Sequence, residues 1–93
     1  MQVIHKHTLK TYEPTLIKLP QMSEILKVDF QRGELQLWVT VDQEVKDTFT
    51  AEFVVVPTGV EFDDAELLYF DSAISDDRVW HVFMRIETDA DGV

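Results

Sequence analysis

The chain contains no cysteine. Disulfides, thiolate metal sites and thiol nucleophiles are therefore excluded, and the composition fits a reducing cytoplasm. Glycine and proline are scarce, three of each, and they punctuate strand-like runs rather than forming linkers. No apolar run approaches the length of a membrane span. The opening MQVIHKHTLK has no apolar stretch long enough for a signal peptide. The expectation is a soluble cytoplasmic protein. No glycine-rich phosphate loop, HExxH or nucleophile-elbow pattern is present, and no catalytic constellation assembles, so a non-enzymatic protein without cofactors is expected.

Positive charge is also in short supply. Eight Lys and Arg stand against eighteen Asp and Glu, a net charge of −10. Such a chain repels nucleic-acid phosphates and anionic lipid heads, so neither direct nucleic-acid binding nor a membrane partner is expected. It favours a protein partner with a basic face; solubility alone is the plain alternative. Acids dominate from Asp42 onward, and one face of the molecule should be distinctly negative.

What is present is globular: 45% hydrophobic and 11% aromatic residues in 93 positions. That size makes one domain with a thin core. Alternating and β-branched runs mark strands at 3–9, 15–19, 24–31, 34–41, 48–56, 67–74 and 79–86. No amphipathic helical period extends beyond two turns, although Asp63–Glu66 would cap a single helical turn. The fold class is all-β, or β-rich α+β: a small antiparallel sheet, sandwich or partly open barrel of six or seven short strands. Residues 1–86 form the single domain and 87–93 a flexible acidic tail.

FQRGELQLWV (30–39) carries the clearest local signal. If Arg32-Gly33 is a two-residue turn, Phe30 faces Leu35, Val28 faces Leu37 and Leu26 faces Val39, all on one apolar face. Asp29, Lys27 and Ile25 then oppose Gln36, Trp38 and Thr40 on the other. Arg32 is the weak position, since Asn or Asp suits such a turn better. Across SDDR (75–78) two registers compete. An odd-length loop sets Ile74, Ser72, Phe70 and Leu68 beside Trp80, Val82, Met84 and Ile86. An even-length loop turns His81 and Phe83 inward instead.

Candidate site residues follow from the side chains left over. Trp38 lies opposite the apolar face of its hairpin, where it packs under a crossing strand, contacts Lys27, or serves a subunit interface or binding patch. Trp80 is the second large aromatic. Val54, Val55 and Val56 must occupy both faces of one strand, which argues for self-association. Asp63, Asp64 and Glu66 would cap a turn or meet a basic partner; their spacing is not that of an EF-hand loop. His81 would act as a general base with Asp71 or Asp76, or sit half-buried on a neighbour. His5 and His7 share one side of a strand at metal-ligand spacing, but further His or Cys ligands are missing, and no metal is expected.

Three stretches together resemble an uncharacterised family of short tailed-phage accessory proteins. They are MQVIHKHTL, IKLPQMSEILKVDFQRGELQLWVTVD and VWHVF. The family pattern runs K-x-I-x-K-Y-x-L, then I-L-x-V-Q-x-Q-N-G-x-x-x-L-W-x-L-V-D, then G-T-G-H-P, then F-H-V-F. Leu37-Trp38 with Val41-Asp42, Thr58-Gly59 and His81-Val82-Phe83 are the matching positions. Gln31-Arg32-Gly33 keeps the turn glycine of Gln-Asn-Gly, whereas Val56–Val60 lacks the histidine and one glycine of G-T-G-H-P. The resemblance implies a β-rich phage protein, cytoplasmic in an infected bacterium, that blocks a host factor of antiviral defence in the manner of an anti-CRISPR or anti-restriction inhibitor. Two alternatives stand beside it. One is a homo-oligomeric sponge for nucleotide immune signals, with Trp38 or Trp80 stacking on a base and Arg32, Arg78 or Arg85 meeting phosphate. The other is a minor virion or assembly protein.

Overall fold

The computed structural model describes residues 1–87. The acidic tail expected at 87–93 lies, apart from Glu87, outside the described residues. Among these, seven strands form: β1 (Gln2–Leu9), β2 (Thr15–Pro20), β3 (Glu24–Gln31), β4 (Glu34–Asp42), β5 (Thr48–Pro57), β6 (Leu68–Ser75) and β7 (Arg78–Glu87). They make two antiparallel sheets, ordered β1-β4-β3 and β2-β5-β7-β6. The fold is thus an all-β sandwich of two open sheets. Alternation explains it: each strand turns every second side chain inward. Leu35, Leu37, Val39 and Val41 of β4 face Ile17, Leu19, Ala51, Phe53 and Val82 of the other sheet, and all are buried.

The β3–β4 hairpin pairs Phe30 with Leu35, Val28 with Leu37 and Lys27 with Trp38, as its alternation predicts. Beyond Lys27 the register changes. A bulge at Leu26 pairs Ile25, not Leu26, with Val39, and Glu24 with Thr40. The extra residue turns Leu26 out to 46% exposure and Ile25 into the core. Arg32 and Gly33 both take positive φ, 55° and 81°. That is the two-residue turn whose twist matches a hairpin, and it strains Arg32. Arg32→Asn should therefore raise the unfolding free energy by about 0.5–1 kcal/mol in urea titration; an unchanged or lower value contradicts the strain.

The second hairpin also closes on two residues, Asp76 and Asp77, both at positive φ. The loop is even-length, pairing Ala73 with Trp80 and Ser72 with His81. It nevertheless keeps Val82 in the core, with Trp80 half-buried at the end of the sandwich, and sends His81 and Phe83 to the outer face. Ala73 replaces Ile74 as the inward residue of β6, leaving Ile74 largely exposed. A second bulge, at Phe70, restores an apolar residue to the core side. No helical turn forms at Asp63–Glu66. The Leu67 amide donates to the Asp64 carbonyl at 3.1 Å, and Glu66 adopts φ 61°, which makes a β-turn.

His5 and His7 lie on the inner side of β1, opposite Val39 and Leu37, their rings 6.4 Å apart. Among the described residues no group of three metal-ligating side chains forms. The His7 Nε2 is buried without a partner. Burial first, and the neighbouring His5 second, lower its pKa below the ordinary 6.5. A group whose folded pKa is lowered favours the fold while neutral. Its contribution is complete above the unfolded value and is lost as pH falls below it. His7→Leu should therefore gain stability over the parent as pH drops from about 7.5 to about 5.5, since the acids titrate alike in both. Parallel urea-unfolding profiles across that range would show that His7 carries no such linkage.

Candidate binding face

The three consecutive valines of β5 divide between the two faces of the four-stranded sheet. Val55 points inward opposite Val82, while Val54 and Val56 point outward beside Phe83 and His81. An outward face this apolar needs a cover. The β5–β6 connection supplies part of it. Phe62 packs on Phe83 with ring centroids 4.9 Å apart, and Tyr69 meets the same ring edge-on at 5.7 Å. Arg85 ties the connection down: its Nε donates to Glu52 at 2.8 Å and its Nη1 to the Ala65 carbonyl at 3.1 Å. The Glu52 carboxylate holds the Arg85 pKa above its ordinary value. Arg85 is thereby engaged and is not a free phosphate ligand.

The same connection displays the acids. Glu61, Asp63, Asp64 and Glu66 are all exposed along it. Asp63 also accepts the Ala65 amide at 3.0 Å, shaping the turn. A negative, partly apolar surface therefore runs across the outer side of the four-stranded sheet.

Behind it sits a hydroxyl–imidazole chain. His81 lies between Thr58 Oγ1 at 2.7 Å and Ser72 Oγ at 2.9 Å, and Tyr69 Oη is 2.7 Å from Ser72 Oγ. Thr58 Oγ1 donates to the Val79 carbonyl at 3.4 Å. One orientation satisfies the whole chain: Tyr69 donates to Ser72, Ser72 to Nδ1, and Nε2–H to Thr58. Asp71 and Asp76, expected as partners of His81, do not hydrogen-bond to it; its ring nitrogens face Thr58 and Ser72. Asp71 instead accepts the Ser72 amide at the Phe70 bulge. The chain staples the Thr58-Gly59 corner to β7 and β6, which fixes where the acidic connection starts.

The other candidates lie elsewhere. Trp38 is half-buried on the outer face of the three-stranded sheet, flanked in register by Lys6 of β1 and Lys27 of β3. Lys27 Nζ lies 5.8 Å from its ring centroid. Lysine stems, rather than a crossing strand, give it cover. Trp80 sits at the end of the sandwich, edge-on to Phe30 at 6.2 Å and beneath the Arg78 guanidinium at 5.2 Å. Of the eight expected residues, Asp63, Asp64, Glu66 and His81 share the outer side of the four-stranded sheet, Arg78 and Trp80 lie at the end of the sandwich, Trp38 stands on the other sheet, and Asp71 sits at the β6 bulge.

With the geometry in place, the comparisons give the lineage. The model of a domain of unknown function, DUF7352, matches residues 1–92. The chain belongs to that family. No curated protein and no solved structure matches it. For this DUF7352 member the site must therefore be read from its own residues.

Sequence reasoning missed three parts of the face: Phe62 on Phe83, the Arg85–Glu52 pair, and an apolar cleft between Tyr12-Glu13-Pro14 and Val60–Phe62. The first two join residues 21 and 33 positions apart, and no periodicity announces such pairings. The cleft carried one legible cue, the proline of Tyr12-Glu13-Pro14.

Proposed function

We propose that this protein is a non-enzymatic phage accessory protein that binds and inhibits a host protein with a basic face, in antiviral defence. The observation that carries this reading is the acidic connection Glu61–Glu66, pinned by Arg85 and Phe83 over an apolar sheet face. Fixed carboxylates beside apolar surface suit a basic protein partner: the charges steer the encounter and the apolar surface holds the complex. The test is affinity capture from bacterial lysate, with the captured protein identified and assayed. Glu61→Gln, Asp63→Asn, Asp64→Asn and Glu66→Gln combined should abolish capture, and raised salt should weaken the parent's. Capture that ignores both salt and the fourfold change would remove the electrostatic basis of this reading.

A second reading has its own support. Trp38 between Lys6 and Lys27, with a hollow of about 320 Å³ lined by Lys6, Gln31, Arg32, Glu34 and Gln36, offers a stacking surface with nearby cations. It fits a nucleotide sponge. A thermal-shift panel of cyclic nucleotides should raise the melting temperature if that reading holds. A flat response leaves the protein-binding reading alone.

A further inference from the structure

β5 is longer than its neighbour. β2 pairs with Thr48–Phe53 only, whereas β7 pairs on through Pro57. The reason lies in the sequence. Pro14 has no N–H to extend the ladder past Thr15, and the bend through Tyr12 and Glu13 carries the chain away. Val54–Val56 therefore have no strand beside them on that side among the described residues. Strand residues turn their N–H and C=O to alternate sides, so this stretch presents unpaired backbone donors and acceptors in mid-sheet.

That vacancy is not flat. It opens into a cleft of about 390 Å³ between Tyr12-Glu13-Pro14 on one wall and Val60-Glu61-Phe62 on the other. The apolar rim is exposed: Tyr12 by 80%, Val60 by 48% and Phe62 by 44%. Each wall carries one exposed carboxylate: Glu61 on one side, and on the other Glu13, whose Oε2 accepts from Lys10 Nζ at 2.9 Å in an exposed pair that a competing cation can replace. The three residues Val54–Val56 span roughly 10 Å, which is the length of about three residues of an added strand.

We infer that this cleft receives an extended segment of the partner protein, which adds to β5 as a short strand and carries Lys or Arg beside apolar residues. This deepens the binding reading above and rests on it. Backbone pairing with Val54–Val56 supplies the register, outward Val54 and exposed Phe62 take alternate side chains, and Glu13 and Glu61 meet the flanking cations. A second copy of this chain fits poorly. Edge-to-edge pairing would bring four carboxylates, two Glu13 and two Glu61, around one cleft in a molecule already at −10.

The test uses the whole protein, labelled with ¹⁵N, and three synthetic peptides. The first is an acetylated and amidated hexapeptide of alternating lysine and valine. The second is the same peptide N-methylated at every second residue along its bonding edge. The third alternates glutamate and valine. The first should shift the amides of Val54–Val56 and Val60–Phe62 and slow hydrogen exchange at the unpaired amides. N-methylation and the acidic peptide should each abolish this. Glu13→Lys with Glu61→Lys, both exposed, should weaken the first peptide roughly tenfold while leaving the rest of the spectrum unchanged. Shifts centred on another edge, equal binding of the methylated peptide, or no binding would overturn the inference. So would light scattering that shows a dimer lost on Glu61→Lys. If the peptides fail but the intact protein still captures a partner through Glu61–Glu66, strand addition falls and the binding reading stands. If capture fails too, both fall.

Discussion

Phe53→Ala is expected to cost about 3–5 kcal/mol, the largest loss of any single change considered for this fold. Phe53 is fully buried and is the largest side chain so enclosed. It sits mid-β5 on the inward face, between Thr15 of β2 and Met84 of β7. Removing the ring leaves a cavity between sheets that cannot collapse without breaking both ladders. A domain of this size has about 5–15 kcal/mol in total, so a fifth or more disappears. Urea unfolding followed by tryptophan fluorescence measures it directly. A loss below about 1 kcal/mol would mean that the two sheets do not close over Phe53.

Phe83→Ala tests the opposite face of the same sheet and should behave differently. Phe83 is half-buried, so its transfer contribution is smaller, but it holds both Phe62 and Tyr69. Area and aromatic pairing together suggest about 2–3 kcal/mol. The functional consequence is larger than the stability figure implies. Without the ring, Phe62 loses its seat and the acidic connection is held only by Arg85 and, at its start, by the Thr58–His81 bond. Amide exchange across 60–66 should accelerate, and capture of a basic partner should be lost while β1–β5 remain protected. Phe83→Leu should retain most of both properties. Unchanged exchange in the connection would show that Phe83 does not position the acids.

These two phenylalanines also mark how far the sequence could be read. Inward residues such as Leu35, Leu37 and Phe53 announce themselves by alternation, because strand period and burial coincide there. The Arg32-Gly33 turn was legible because glycine allows positive φ. The bulge at Leu26 was not: Ile25 and Leu26 are both apolar, and only packing against the second sheet decides which goes in. Asp76-Asp77 lacks the glycine that signals a tight turn, so the second hairpin stayed ambiguous until its pairing was seen. The acids at 63–66 look like a helix start in isolation. The connection is instead drawn flat over the sheet by Phe62 and Arg85. Trp38, conspicuous in the sequence, turns out to stand on the other sheet between two lysines, away from most of the acids.

Hydrogen exchange on the purified complex with its captured partner, mapped residue by residue against the free protein, bears most directly on the claim that this chain acts by docking its acidic, apolar sheet face on another protein. Slowed exchange should concentrate at Val54–Val56 and along 60–66, with the Trp38 face untouched. Protection centred on Lys6, Lys27 and Trp38, or none anywhere, would contradict it.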